Sequence, residues 1–451
     1  MPGSASRAPS HSVAAQEAHQ ALSEYLIADG FPLIFDYERS HGSWVVDATT
    51  EKPYLDFYSF FASLPLGFHH PAFHLPENRE RLYQASIHKP SNSDADSTEF
   101  ASFVRQFSTQ AMPEPFCHLF FIEGGALAVE NALKTAFDWK ARKNLAQGRS
   151  AGEGRILHFR EAFHGRSGYT MSLTNTLPIK TLHFPKFDWP RVTNPKIRFP
   201  LDRLEEERVA NEEKKALAEI RQAFADHPHE IAGIILEPIQ GEGGDNHFRP
   251  EFFRALREVA TEQEALLILD EVQTGFGTTG RFWAYEHFDV VPDIVCFGKK
   301  SQVCGIMAGP RVDEVEDNVF RLSSRLNSTW GGGLADMVRC QIILDVMKQE
   351  NLVTNARDVG QLLLDKLEAL ATEFPERISC ARGRGVFCAF DCASTELRDD
   401  ILQRAREEGL LLLPCGSQSI RMRPALNISA DEITQGMDVL AKIAAEPMAG
   451  S

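Results

Sequence analysis

The sequence predicts an α/β protein, with a largely parallel sheet and helical crossovers followed by a smaller α+β region. Three observations carry this expectation. Continuously apolar runs at 116–122, 156–159, 231–236, 265–269 and 294–297 have the length of strands buried on both faces. Helical stretches at 204–226 and 250–263 separate several of them, as parallel strands require. After about Gly331 the character changes to a long helical stretch (336–374), then GVFCAFDC, a further helix and SIRMRPALNIS.

Along the chain, MPGSASRAPSHSVAAQ has no apolar centre and reads as a disordered tail over 1–18, not as a signal peptide. From 19 to 68 the pattern is mixed, and WVVDATTEKPYLDFYSF reads as short strands around a turn. The stretch 116–142 is clearer: a strand, a tight turn at 123–126, then a helix. Val129, Leu133, Ala136 and Phe137 share one face of that helix, and Glu130 and Lys134 are spaced as an i,i+4 ion pair.

Composition narrows the function. Asp and Glu number 63 against 47 Lys and Arg, a net charge of −16, which argues against a nucleic-acid partner and suits an enzyme of small molecules. No apolar run approaches the roughly 18 residues of a membrane span. The eight cysteines include no C-x-x-C pair, and Cys388 and Cys392 have no nearby histidines at metal-ligand spacing, so reduced thiols, a cytoplasmic location and no metal are expected.

The chemistry is read from strand ends, because ligands of open parallel sheets bind beyond the carboxyl ends of the strands. LLILDEVQTGFGTTG ends its strand on Asp270, IILEPIQGEGG ends on Glu237 and leads to Glu242, and PDIVCFGKK ends on Lys299 and Lys300. A fourth strand runs into EGGA at a helix start, where amides and the helix dipole suit a phosphate. Taken singly, each is ordinary: a turn-capping Asp, a tight βα connection, a solvated lysine. Together, an amine nucleophile, a neighbouring acid and an anion cradle match pyridoxal 5'-phosphate. GFGTTG (Gly275 to Gly280) fits a dinucleotide pattern, but RFWAYEHF follows it and the notable acid, Asp270, precedes it, so that reading is set aside.

At this point LILDEVQTGFGTTG, PDIVCFGKK and STWGGG together resemble the class III (ω) aminotransferases of PLP fold type I, over nearly the whole chain after the tail. The resemblance implies a large domain, 76–333, around a mostly parallel seven-stranded sheet flanked by helices. It also implies a smaller α+β domain built from both termini, 19–75 and 334–451. Within the class, EGGALAVENALK, EAFHGRSGYTMSLTN, FPKFDWPR, EPIQGEGGDNHF and FGKKSQVCGIMAG are similar to the lysine 6-aminotransferases. These move the ε-amino group of L-lysine to 2-oxoglutarate, giving L-glutamate and 2-aminoadipate 6-semialdehyde, which cyclises to a piperideine carboxylate. Other expectations remain beside this one: an ornithine or 4-aminobutyrate aminotransferase, a class-related mutase or decarboxylase, or a non-catalytic relative. Intact Lys299, Asp270, Gln273, Arg166 and Arg421 argue against the last.

The resemblance also implies roles. Lys299, in FGK, is the Schiff-base lysine, and Lys300 is by default solvated or in contact behind the site. Asp270 pairs with the pyridine nitrogen, Gln273 bonds the ring hydroxyl, and Val272 and Phe163 sandwich the ring. Gly125 and Ala126 give amides to the phosphate. Thr329 reaches that phosphate from a second subunit, which makes a homodimer with a shared site. Arg166 binds the far carboxylate of either substrate and Arg421 the near carboxylate of glutamate. Glu242 neutralises Arg421 when lysine is bound and swings away for glutamate, a movement that Gly241, Gly243 and Gly244 would permit. On spacing alone, Glu242 is a solvated loop acid and Arg421 a surface strand residue.

Overall fold

The computed structural model describes residues 12–447. Its strands are β1 (Trp44–Val46), β2 (Pro53–Asp56), β3 (His118–Ile122), β4 (Arg155–Phe159), β5 (Arg191–Val192), β6 (Ile231–Leu236) and β7 (Leu266–Asp270). They continue with β8 (Ile294–Phe297), β9 (Cys304–Ala308), β10 (Ile378–Arg384), β11 (Phe387–Cys392), β12 (Leu410–Leu411), β13 (Leu413–Cys415) and β14 (Ser419–Met422).

A seven-stranded sheet has the order β3-β9-β8-β7-β6-β4-β5. Its pairs are parallel except those of β9, which runs antiparallel to both β3 and β8. The central strands are apolar throughout because both faces are covered. In β7, Leu267 and Leu269 enter the core shared with Phe252 and Leu256 of the helix Pro250–Glu262. Leu266 and Ile268 point the other way, to Val129, Leu133 and Ala136 of the helix Gly125–Ala146, as strand alternation demands.

Two smaller sheets complete the fold. β10-β11-β14-β13 is antiparallel, and β12 pairs in parallel with β2, so a segment near the N-terminus is hydrogen-bonded to one near residue 410. The helix Ala430–Ala445 starts on a Ser429–Glu432 capping box.

The structure departs from the sequence expectations in several places. Residues 1–11 of the expected tail lie outside the described residues, but a helix at Ala15–Ser23 already occupies its end. The expected helix 336–374 is two, Leu334–Gln349 and Leu352–Glu373, broken where Asn351 takes φ +53°, a conformation Asn tolerates. β9 was not foreseen; its Cys-Gly start follows the lysines after a left-handed Gln302 (φ +61°), and it carries no run long enough to register. The Glu130–Lys134 pair does not form: Glu130 is buried and accepts bonds from Ser167 Oγ (3.0 Å) and the Thr170 amide (3.1 Å). Lys300, finally, is not in solvent but buried. Among the described residues no helix is long and apolar enough to cross a membrane.

Candidate active site

A cavity of about 600 Å³ opens where the strand ends converge. Lys299, Asp270 and Glu237 line it from the ends of β8, β7 and β6, and Gly125 and Ala126 from the helix that follows β3. That helix has Gly124 as its N-cap (φ +92°) with no side-chain cap, so its first amides face the cavity unspent on a capping side chain. Gly125 is required by close approach: a Cβ there would stand 2.8 Å from Val272 Cγ1.

Asp270 is held from two directions. His164 Nδ1 lies 2.8 Å from its Oδ2, and the Val272 amide donates to Oδ1 at 3.1 Å. Next to it Glu237 accepts from the amides of Phe163 (2.9 Å) and Gly241 (3.0 Å), while burial pushes its carboxyl up to about 7. Phe163 and Val272 both line the cavity. So does Gln273, whose Oε1 accepts from Arg423 Nη2 at 3.2 Å.

The two lysines are separated by position. Lys299, at φ +50° in a one-turn helix, lines the cavity. Burial, then the guanidinium groups of Arg421 and Arg423, bring its amine down to about 8, against the opposing pull of Asp270 and Glu242. Lys300 is 1% exposed, its Nζ has no hydrogen-bond partner, and it does not line the cavity. Burial and Arg423 lower its amine to about 7, with Asp56 opposing. Asp56 in turn accepts from the amides of Tyr58 (2.8 Å) and Ser59 (2.7 Å) and starts a turn, Ser59 to Ala62, in which four successive residues have positive φ. Left-handed non-glycine residues cost roughly 1–2 kcal/mol each, so the surrounding packing must hold this turn, which presents Phe61 to the cavity.

At the other end of the cavity, charges meet. Arg421, on β14, is 2% exposed, not a surface residue. Its Nη2 lies 2.6 Å from Glu242 Oε2, and its Nε and Nη1 have no partner. Glu242 Oε1 is engaged by Lys180, whose Nζ also stands 5.2 Å over the Phe163 ring. The two cations overcome burial and hold the Glu242 carboxyl down at about 2. Arg166 lines the cavity from an exposed position. Thr329 is exposed and does not line the cavity of its own chain.

Sequence reasoning missed His164, Lys180, Arg423 and Phe61. His164 adjoins Phe163 in a motif already singled out, but its partner Asp270 is 106 residues away. Lys180 ends a three-residue 3-10 helix, Pro178–Lys180, with no strand-end signal, and nothing in SFFA announces a left-handed turn.

An open α/β sheet with an amine, an acid and an uncapped helix start at one mouth defines an enzyme site of the kind used with pyridoxal phosphate. The family described as aminotransferase class-III matches residues 27–444, and the chain belongs to it. It is a pyridoxal-phosphate-dependent transaminase. The L-lysine-epsilon aminotransferase of Mycobacterium tuberculosis is 52% identical over 419 residues, covering 92% of this chain and 92% of that protein. The L-lysine-epsilon aminotransferase of Streptomyces clavuligerus is 47% identical, covering 95% and 94%. A solved structure, lysine aminotransferase from M. tuberculosis in the internal aldimine form, has a TM-score of 0.93 at 50% identity, covering 95% of this chain and 99% of that one. The residues present fit the cofactor: the uncapped helix start for its phosphate, Asp270 for its ring nitrogen, and a lysine amine near neutrality for its aldehyde.

Proposed function

We propose that the chain is an L-lysine 6-aminotransferase, passing the ε-amino group of L-lysine to 2-oxoglutarate with release of L-glutamate and 2-aminoadipate 6-semialdehyde. The arginine held by a carboxylate carries this reading: Arg421 is buried and bonded to Glu242. A donor whose reacting amine is flanked only by methylenes needs that guanidinium neutralised, since an unpaired buried charge is costly. Glutamate needs it free, because the carboxylate next to its amine suits a guanidinium fork. Arg166, at the exposed mouth, takes the carboxylate far from the reacting amine in both substrates. The lysine relatives support the same choice.

Bound pyridoxal phosphate supplies an aldehyde that carries the amino group and a ring that takes up electrons. The chain's residues do the rest. Asp270, oriented by His164, keeps a proton on the ring nitrogen. Gly125 and Ala126 would hold the phosphate, Phe163 and Val272 would flank the ring, and Gln273 would bond its hydroxyl. Lys299 Nζ, whose titration is brought down to about 8, would take the proton from the substrate carbon and deliver it to the carbon that was the cofactor's aldehyde. Thr329 completes the phosphate site of a second copy in a homodimer; it is exposed and does not line the cavity of its own chain, which supports this.

The test is an amino-donor panel with 2-oxoglutarate as acceptor, read by glutamate formation and by trapping the cyclised product. Lysine should lead the panel. A preference for ornithine or 4-aminobutyrate overturns the lysine assignment.

A further inference from the structure

Glu242 sits between two cations, and only one of them is expected to bind substrate. Lys180 touches Oε1 and Arg421 touches Oε2. The loop that bears Glu242 is not free to move with it. A Cβ on Gly241 would lie 2.2 Å from Gln273 Oε1, and one on Gly243 would lie 2.1 Å from the Glu161 carbonyl oxygen. The Glu242 carbonyl accepts from the Gly416 amide at 3.0 Å, and Gly244 holds φ +125°. These glycines serve close packing, not mobility. The carboxylate must therefore leave Arg421 by side-chain rotation about a fixed Cα, and a group already bonded to its other oxygen can stay with it. Beside it, Glu242 also borders a second, polar cavity of about 550 Å³, which gives the side chain room to turn.

We propose that Lys180 is the latch of this exchange, a positioning residue that keeps hold of Glu242 when a substrate carboxylate takes Arg421. The proposal rests on the two-state arginine of the proposed function and adds the residue that makes its second state affordable. With Lys180 present, the rotated carboxylate stays paired in a partly buried site. Without it, Glu242 has a cation only while it blocks Arg421, so the equilibrium shifts toward the blocked state. The lysine half-reaction uses the blocked state and the glutamate half-reaction the open one. Phe163 fixes where the ammonium stands, through the face of its ring.

The experiment uses the holoenzyme and single-turnover spectra of its cofactor with lysine or with glutamate, for Lys180→Met, Lys180→Arg, Glu242→Ala and the double variant Lys180→Met/Glu242→Ala. For Lys180→Met, KM for glutamate should rise about tenfold with kcat little changed, while the lysine half-reaction, which uses the favoured blocked state, should not fall. Lys180→Arg should restore glutamate KM. Glutarate, a dicarboxylate that cannot react, should bind about tenfold more weakly to Lys180→Met by calorimetry. In the Glu242→Ala background, adding Lys180→Met should change neither constant, since the latch has nothing to hold.

Equal losses in both half-reactions overturn the proposal. A Lys180→Met effect that persists undiminished without Glu242 also overturns it, because Lys180 then touches a substrate carboxylate itself. Should Glu242→Ala fail to distinguish lysine from glutamate, the two-state arginine falls first. When it does distinguish them and Lys180→Met does not, only the latch falls.

Discussion

The two ends of the cavity are built from different materials. At the cofactor end, Asp270, Glu237 and Lys299 stand on or just beyond neighbouring parallel strands of one sheet, and the two carboxylates are held by backbone amides and a buried histidine. At the substrate end, Glu242 comes from a loop, Arg421 from the small antiparallel sheet and Lys180 from the short 3-10 helix Pro178–Lys180, and Glu242 is the shared partner of both cations. The first arrangement has one geometry. The second is a triangle of charges in which one bond can be exchanged for another. Changes at the first end should therefore damage both half-reactions alike, and changes at the second should separate them.

The largest expected effect tests the first half of that contrast. Lys299→Ala should lower both half-reactions by about 10³-fold or more and abolish the borohydride-trapped cofactor adduct seen by mass spectrometry. Lys300→Met should keep the adduct, because Lys300 lies outside the cavity. An adduct lost in Lys300→Met and kept in Lys299→Ala would reverse the assignment. Asp270→Asn should follow, with losses of about 10²–10³ in both half-reactions. A loss confined to one of them would mean that the cofactor end is not the uniform support described here.

The same contrast governs what could be read in the sequence. The strands of the parallel sheet, their polar ends and the glycine turn at 124–125 were legible because burial on both faces writes apolar runs, and a charged residue closing such a run stands out. Asp270 and the lysine pair 299–300 stood out in this way, while the choice of Lys299 and the role of Gln273 came from the resemblance to the class III aminotransferases. β9 was not, since a five-residue strand opening on Cys-Gly gives little periodicity. The partners were harder. His164, Lys180 and Arg423 act through residues 106, 62 and 150 positions away, and no local pattern encodes such distances. Lys300 shows the limit from the other side: local reasoning left it either solvated or in contact behind the site, and in the fold it is buried, with the turn Ser59 to Ala62, over 200 residues earlier, packed against the short helix that carries it.

The substrate end offers a smaller and more discriminating effect. Glu242→Ala should impair the lysine half-reaction by about tenfold, because Arg421 is then left facing methylenes, and should spare the glutamate half-reaction. Equal losses would show that Glu242 supports the cavity as a whole and that the two ends are built alike.

The smallest expected effect asks whether the ends communicate. The neutral amine of Lys299 is the form that reacts with an aldehyde, and burial with Arg421 and Arg423 brings its titration to about 8. At pH 7 roughly a tenth of such amines are neutral, so reconstitution of cofactor-free protein with pyridoxal phosphate should quicken about fivefold between pH 7 and 8 and level off above about 9. An ordinary lysine would keep gaining tenfold per unit to about pH 10. Glu242 and Asp270 both oppose the lowering, and they do so from opposite ends of the cavity. Removing either carboxylate takes away an anion that favours the charged amine, so the midpoint should move to lower pH in Glu242→Ala as well as in Asp270→Asn. A midpoint that falls in Asp270→Asn but stays in place, or rises, in Glu242→Ala would confine the electrostatics of the nucleophile to the cofactor end. A fall in both would mean that the exchangeable triangle also sets the charge on Lys299, and that each turn of Glu242 retunes the amine that moves the proton.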